Sequence, residues 1–162
     1  MTAAGRYVRL DQVALDWPPL RTPPVLAGAE GPRTLQLAGG HADGTILTGG
    51  TTPAQITRAC ALIEDGRAQT GRREQHRVTC YLLAATGSDA QSRVDAEASR
   101  WGWPSSADRA VAGSVDAVAA AVGRWAAAGA DSVILQPTGD EPDPEGFVAF
   151  AAAVGRMVER PG

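Results

Sequence analysis

A short turn near the amino terminus holds the residue types best suited to bind an anion. The apolar pair Val25-Leu26 is followed by Gly28-x-x-Gly31-Pro32-Arg33. Glycine lets a chain turn sharply, and proline is common as the first residue of a helix, so this pattern predicts a strand, a turn and a helix. The first amides of a helix have no internal acceptor, and they attract phosphates and carboxylates. The stretch therefore predicts an anion site.

Arg33 adds a positive charge to this turn. A cation in the first turn of a helix opposes the helix dipole by about 0.3–1 kcal/mol. A bound anion therefore accounts for Arg33 better than helix stability does. The alternative interpretation is a solvated arginine in a tight turn, because a Gly-x-x-Gly spacing is common on its own.

The composition is that of an ordinary globular chain, and it excludes two classes of partner. The 162 residues carry a formal net charge of −3, so there is no basic excess to bind nucleic acid. The longest apolar run, at residues 147–155, is far shorter than the ~20 residues of a membrane span, and no signal-peptide pattern is present. We expect a cytoplasmic protein. Cys60 and Cys80 lack paired spacing, so we expect buried thiols and no metal site.

Strand and helix patterns alternate along the chain after residue 23. Short apolar runs predict four strands, at residues 25–26, 45–48, 78–85 and 132–136. Helix start signals follow them, at Pro32, at the capping box Thr52-Pro53-x-Gln55, at residue 88, at Ser114 and at Asp143-Pro144. Residues 1–23 predict an amino-terminal extension or hairpin arm, and residues 24–162 a single domain. The alternation favours parallel strands, in either a doubly wound sheet or a (β/α) barrel.

Several short motifs occur in a fixed order along nearly the whole chain from Gly5. They are Gly5-Arg6-Tyr7-Val8, Pro24-Val25-Leu26-Ala27-Gly28-Ala29-Glu30-Gly31-Pro32-Arg33, Leu37-Ala38-Gly39 with Ala42-Asp43-Gly44, and Ala112-Gly113-Ser114-Val115-Asp116 with Ala128-Gly129-Ala130-Asp131. Together they resemble the carboxyl-terminal half of the bacterial luciferase-like oxidoreductases. That family includes flavin-dependent monooxygenases and reductases that use the deazaflavin coenzyme F-420, among them methylenetetrahydromethanopterin reductase-like proteins.

The resemblance implies a fold, a cofactor class and a phosphate site. The family fold is a (β/α)8 TIM barrel, of which this chain supplies about four parallel βα units as a partial barrel. The implied cofactor is FMN or coenzyme F-420, the substrate is a small molecule, and the reaction is monooxygenation or hydride transfer. Carried over residue by residue, the resemblance assigns phosphate contacts to Gly28, Ala29, Gly31 and Arg33. It assigns no catalytic residue, because those of the family lie in the amino-terminal half.

Four parallel strands cannot close into a barrel, so both outer strands present unpaired backbone groups. We therefore expect a homodimer or pairing with a complementary half-barrel. Two function hypotheses follow: a luciferase-like oxidoreductase or a fragment of one, and a non-catalytic accessory or inactive subunit that pairs with another chain. A doubly wound nucleotide-binding domain is disfavoured, because the turn lacks Gly-x-Gly-x-x-Gly and no acid is placed to hold a ribose.

Other conspicuous residues are better explained by structural roles. His41 is expected to be a solvated residue at a helix end, and Asp43 to shape the turn into the next strand. His76 has no neighbour at the spacing of metal ligands. Trp101 and Trp103 either form a wall over substrate or pack an insertion against the barrel. Residues at two strand ends are further candidates to face a pocket: Thr48, Gly49, Gly50, and Gln136 to Thr138.

Overall fold

The computed structural model describes residues 1–158 and contains an amino-terminal hairpin followed by a five-stranded sheet. The strands are β1 (Ala3–Ala4), β2 (Arg9–Leu10), β3 (Leu26–Gly28), β4 (Gly44–Leu47), β5 (Arg77–Ala85), β6 (Ala110–Ala112) and β7 (Ser132–Pro137). The helices are α1 (Pro32–His41), α2 (Pro53–Thr70), α3 (Ala90–Arg100), α4 (Val115–Ala127) and α5 (Pro144–Met157). β1 and β2 pair antiparallel, and every pairing in the larger sheet is parallel.

β5 is the central strand and pairs with three others. Its residues 77–80 pair with β4, its residues 83–85 with β6, and its residues 79–84 with β7. A strand residue pairs with only one other strand on each side. β4 and β6 therefore lie one after the other along one edge of β5, and β7 lies along its opposite edge. The principal order is therefore β3-β4-β5-β7. Four parallel strands linked through helices confirm the predicted partial barrel.

The sequence predicts no strand between residues 101 and 113, and β6 corrects this expectation. It has three residues, Ala110–Ala112, and pairs only with the carboxyl end of β5. Three small apolar residues are too few to show a period of two, so no sequence pattern marks them as a strand.

One face of the sheet carries the main core. Successive side chains of a strand point to opposite faces, and alternate residues of β4 and β5 pack here against α2 and α4. Trp125 of α4 is fully buried, and its Nε1 donates a hydrogen bond to the Thr51 carbonyl oxygen at 3.2 Å. The buried members of this core include Leu47, Val78, Cys80, Leu82, Ile56, Ile63 and Trp125. Within residues 1–158, none of the helices has both the length and the apolarity of a membrane span.

Helices α1 and α2 touch through their backbones. A Cβ on Gly39 would lie 2.1 Å from the Ile63 carbonyl oxygen, and one on Gly66 would lie 1.9 Å from the Gln36 carbonyl oxygen. Any side chain at either position would push the two helices apart. The two crossover helices, α1 between β3 and β4 and α2 between β4 and β5, are therefore closely packed against each other.

The other face of the sheet is covered only in part. Leu83 and Ala85 of β5 lie on it by alternation and are fully buried, and we define the open face by five other residues. Leu26 and Ile134 are 43% and 41% exposed, and they lie on the two outer strands, β3 and β7. The other three, Ile46, Thr79 and Tyr81, are half-buried and lie on the inner strands. None of the five belongs to a buried core cluster in the described part of the chain.

Candidate functional site

A cleft of about 520 Å³ lies at the carboxyl ends of β3 and β4. Its walls come from the turn after β3, the loop after β4, the start of α2, and the loop between α3 and β6. Residues that line it and bear on its chemistry are Ala29, Glu30, Thr48, Arg58, Trp103 and Arg109. Open parallel sheets and (β/α) barrels bind ligands beyond the carboxyl ends of their strands, so this cleft is the candidate site.

The predicted phosphate-contact residues all lie in the turn between β3 and α1, and one of them lines this cleft. Ala29 is buried and lines the cleft, and its amide donates to the Ile46 carbonyl oxygen at 3.3 Å. Gly28 ends β3, Gly31 is the N-cap of α1, and Arg33 is exposed in the first turn of that helix. Ala29 thus lines the cleft, whereas Gly28, Gly31 and Arg33 belong to the same strand-to-helix turn without lining it.

The structure has the predicted strand, turn and helix here, but the backbone conformation of the turn does not require glycine at either position. Gly31 has φ −76° and ψ 153°, and Gly28 has no positive φ. Any residue adopts such angles. A Cβ on Gly28 would meet nothing within 4 Å, and one on Gly31 would meet only Thr34 Oγ1 at 3.5 Å. The space beside both backbones is open, so a ligand can approach them closely.

Helix α1 begins without a side-chain cap. Its N-cap Gly31 offers no acceptor, and the hydroxyl of Thr34 donates to the Gly31 carbonyl oxygen at 2.9 Å. Pro32 has no N–H, and the amides of Arg33 and Thr34 have no acceptor within residues 1–158. α3 also lacks a side-chain cap, whereas α2, α4 and α5 each have a side-chain acceptor at this position. The free donors of α1 can bind an anion.

The cleft contains charges of both signs. Arg109 Nη1 donates to the Gly50 carbonyl oxygen at 2.5 Å, whereas Arg58 makes no ion pair in the described part of the chain. The Glu30 carboxylate accepts a hydrogen bond from Thr48 Oγ1 at 2.5 Å. Arg58 therefore favours a bound anion, and Glu30 disfavours one.

Sequence reasoning missed Arg58, Arg109 and Glu30 as cleft residues. Arg58 lies on α2 and Arg109 on the loop before β6, so only the folded chain brings them to the turn after β3. No local pattern distinguishes them from the other arginines. Glu30 lies inside the predicted turn, and its charge could have been considered there.

Two tryptophans pack on the glycine pair that follows β4. Their rings meet edge to face, with centroids 4.8 Å apart. A Cβ on Gly49 would lie 2.9 Å from the Trp101 ring, and one on Gly50 would lie 2.4 Å from the Trp103 ring. The insertion between α3 and β6 thus packs against the sheet end, and Trp103 also forms a wall of the cleft. Of the two predictions for these tryptophans, packing is confirmed.

The carboxyl ends of β5 and β7 are joined by a buried arginine rather than by a pocket. Arg93, 7% exposed, donates to Glu141 Oε2 at 2.8 Å, Thr138 Oγ1 at 3.2 Å and the Thr86 carbonyl oxygen at 2.5 Å. Its Nε donates to Asp89 Oδ1 at 3.2 Å. The Glu141 carboxylate raises the pKa of Arg93, although desolvation opposes this. We call this group the Arg93 clamp. Thr138 belongs to it and not to the cleft.

Asp43 shapes the turn into β4, as predicted. One carboxylate oxygen accepts from the Val25 amide at 2.8 Å, and the other accepts from Arg72 Nη2 at 2.9 Å. These hydrogen bonds, the Val25 amide foremost, lower the pKa of Asp43. His41 is exposed in the last turn of α1. Residues 1–158 hold no group of three or more His, Cys, Asp or Glu that could bind a metal ion.

His76 is a half-buried histidine with a structural role. Its Nε2 lies 2.9 Å from Thr45 Oγ1, and its Nδ1 is buried without a partner in the described residues. Burial lowers the pKa of His76, and the nearby charge of Arg67 lowers it further. The unfolded chain therefore binds a proton in a pH range where the folded chain does not.

We expect the melting temperature to fall as the pH drops below about 6.5, the ordinary histidine pKa, because protons then favour the unfolded chain. In His76→Gln this decrease should be smaller, since the titrating group is gone. Thermal unfolding followed by circular dichroism between pH 7.5 and 5.5 measures the slope. The exposed His41→Gln is the matched histidine-to-glutamine control. An unchanged slope in His76→Gln would contradict the assignment.

Comparison with known proteins gives a family match over most of the chain. Residues 1–131 match the family model of the luciferase-like monooxygenases. A search of curated proteins finds no match. Among solved structures, an F-420-dependent secondary alcohol dehydrogenase in complex with an F-420-acetone adduct is similar, with 16% identity and a TM-score of 0.83. The alignment covers 98% of this chain and 56% of that one.

Two further solved structures share the fold. The coenzyme F-420-dependent tetrahydromethanopterin reductase from Methanopyrus kandleri is 17% identical, with a TM-score of 0.74 over 98% of this chain and 58% of that one. The EDTA monooxygenase from Chelativorans sp. BNC1 is 15% identical, with a TM-score of 0.64 over 99% and 51%. This chain thus spans slightly more than half the length of these structures. The match over residues 1–131 confirms the predicted resemblance, and the chain belongs to the luciferase-like monooxygenase family.

Proposed function

We propose that this chain is the cofactor-phosphate-binding half of a luciferase-like oxidoreductase that uses FMN or coenzyme F-420. The observation that carries the proposal is the turn at residues 28–33, where open space beside Gly28 meets the free amides of α1. The adjoining cleft of about 520 Å³ is within the usual range for cofactor sites, roughly 300–1,000 Å³. Family membership and a fold shared with two F-420-dependent enzymes support the cofactor class.

In this proposal each residue of the turn has a defined task. Gly28 and Gly31 let the phosphate approach the backbone, and Ala29 forms the apolar wall beside it. The amides of Arg33 and Thr34 donate to the phosphate, and the positive end of the α1 dipole favours its charge. The guanidinium of Arg33 balances part of the phosphate charge. Without a bound anion, this guanidinium has no role at a helix start.

The rest of the cleft orients the cofactor and limits its contact with water. Trp103 and Leu47 supply apolar walls, and Arg58 offers a second cation. A bound flavin or deazaflavin supplies the hydride transfer, and a flavin also reacts with oxygen. The chain itself binds the cofactor and positions it. The proposed substrate is a small molecule, and the proposed reaction is monooxygenation or hydride transfer.

A second candidate function is an accessory, non-catalytic half-barrel subunit. It is favoured by the lining of the cleft. Among the described residues that line it, Glu30 alone has a carboxylate, and that carboxylate accepts a hydrogen bond from Thr48. Such a subunit needs no acid or base of its own. It differs from the first proposal in one measurable property, because an accessory subunit has no need to bind FMN or F-420.

Replacing Gly28 by valine is expected to weaken cofactor binding by at least tenfold, because the branched side chain fills the open space beside the backbone. Arg33→Gln should weaken it severalfold through loss of charge. Glu30→Gln should strengthen binding about two- to fivefold, since a nearby negative charge is removed. Titration of FMN and of F-420, followed by cofactor fluorescence, measures all three. The exposed Arg73→Gln, outside the cleft lining, is the control.

Two results would overturn the first proposal. The first is that the wild-type chain binds neither cofactor at about 100 µM, far above the dissociation constants usual for such sites, which favours the accessory subunit. The second is that Gly28→Val and Arg33→Gln bind as tightly as the wild type, which removes the phosphate from this turn.

A further inference from the structure

We propose that two copies of this chain associate about a two-fold axis and close one eight-stranded barrel, with β7 of each copy beside β3 of the other. Closure of the barrel does not require bound cofactor. The proposal rests on the two edges of the sheet, on the open face, and on the apolar residues of the amino-terminal arm.

The outer strands β3 and β7 each have one edge without a partner strand in the described part of the chain. Unpaired N–H and C=O groups at such an edge pair readily with another strand. β3 has three residues and pairs only with β4, and β7 has six residues and pairs only with β5, within residues 1–158. Both edges are therefore available to pair with a strand of another chain.

The parallel arrangement makes a second copy geometrically suitable. A two-fold axis along the strand direction preserves that direction, so β7 of one copy meets β3 of the other as a parallel pair. The two seams are equivalent by the two-fold symmetry, so the contact is isologous and leaves neither outer strand with a bare edge. Four principal strands from each copy make eight, the number at which side chains fill a barrel interior.

The open face has the chemistry of a self-complementary interface. Leu26, Ile46, Thr79, Tyr81 and Ile134 are uncharged, so two such faces meet without repulsion between like charges. The residues on the seam strands, Leu26 and Ile134, are 43% and 41% exposed in a single copy. Closing the barrel buries both.

The amino-terminal arm adds apolar area beside one seam. Tyr7, Trp17 and Leu20 are 84%, 90% and 104% exposed, and the arm runs directly into β3. Monomeric proteins seldom expose so many large apolar residues together. A stable interface buries roughly 800 Å² per partner, and one buried aromatic residue contributes about 150–250 Å².

Association also completes the candidate site. The carboxyl end of β7 in the second copy comes to lie beside the carboxyl end of β3, next to the turn at residues 28–33. The second copy therefore adds a strand end beside that turn.

Sedimentation equilibrium of the wild-type chain should give twice the monomer mass. Ile134→Glu and Leu26→Lys each place a charge in both seams of a homodimer, so each variant alone should be monomeric. An equimolar mixture of the two should be dimeric again, because one seam is then wild-type and the other pairs Glu with Lys. Val148→Glu and Leu37→Lys, on exposed helix surfaces, are matched controls and should remain dimeric.

A wild-type monomer, or an assembly larger than a dimer, overturns the proposal. Failure of the mixture to restore the dimer also overturns it, since an interface of β7 with β7 cannot be rescued in this way. Should a variant fail to fold, amide hydrogen exchange of the wild type decides instead. Exchange in β3 and β7 should slow as protein concentration rises, and concentration-independent exchange there refutes the seams.

Discussion

Replacing Arg93 by methionine is expected to lower the free energy of unfolding by about 3–5 kcal/mol, the usual cost of removing one partner of a buried ion pair. The Glu141 side chain is only 7% exposed and would keep its charge without a partner. Thr138 Oγ1 and the Thr86 carbonyl oxygen would lose their donor as well. Urea unfolding followed by circular dichroism measures the loss. The exposed helical Arg156→Met is the control and should change stability by less than about 0.5 kcal/mol.

The double variant Arg93→Met with Glu141→Leu separates a charge effect from a packing effect. If the loss in Arg93→Met comes from the uncompensated carboxylate, removing that carboxylate should recover most of the stability. A double variant less stable than Arg93→Met alone would show that the Arg93 clamp acts by packing rather than by charge.

Gly66→Ala is expected to destabilise the chain by about 3 kcal/mol, the upper part of the usual range for overpacking. The new methyl group would lie 1.9 Å from the Gln36 carbonyl oxygen and 2.8 Å from Gln36 Cα, both backbone atoms of α1. Backbone cannot move aside as a flexible side chain does, so the two helices must separate. Thermal unfolding and urea unfolding both measure the effect.

Gly123→Ala provides the matched control for that substitution. Gly123 is also a helical glycine, in α4, but a Cβ there meets nothing within 4 Å. Alanine should therefore stabilise the chain by about 0.5–1 kcal/mol, because glycine loses more backbone entropy in a helix. The two substitutions are chemically identical and should have opposite signs. Equal signs would mean that α1 and α2 do not touch through their backbones.

The elements that the sequence predicted correctly carry their signals within a few residues. Thr52 and Gln55 form the predicted capping box at the start of α2, and Asp143 caps α5 just before a first-position proline. Asp43 holds the turn before β4, as expected from its position. Such contacts join residues near in sequence, so residue type and spacing are enough to predict them.

The parts that the sequence did not predict depend on contacts between distant residues. Arg93 and Glu141 are 48 residues apart, and nothing in either local stretch marks a buried pair. Arg58 and Arg109 reach the cleft only because α2 and the loop before β6 fold over the same strand ends. The phosphate role of Gly28, Ala29, Gly31 and Arg33 stays a prediction, since binding depends on a ligand and not on the chain alone.

The position of β5 has a consequence for how the chain folds during synthesis. The bond from the Val78 amide to Asp131 Oδ2 joins residues 53 apart, so β7 docks only after a long loop closes. The pairings of β3 with β4 and of β4 with β5 join residues that are closer in sequence, so they should form before β7 docks. At about 5–20 residues per second, a ribosome needs several seconds to add the intervening chain. Throughout that interval one side of β5 is bare, and a chaperone or a neighbouring nascent chain has access to it.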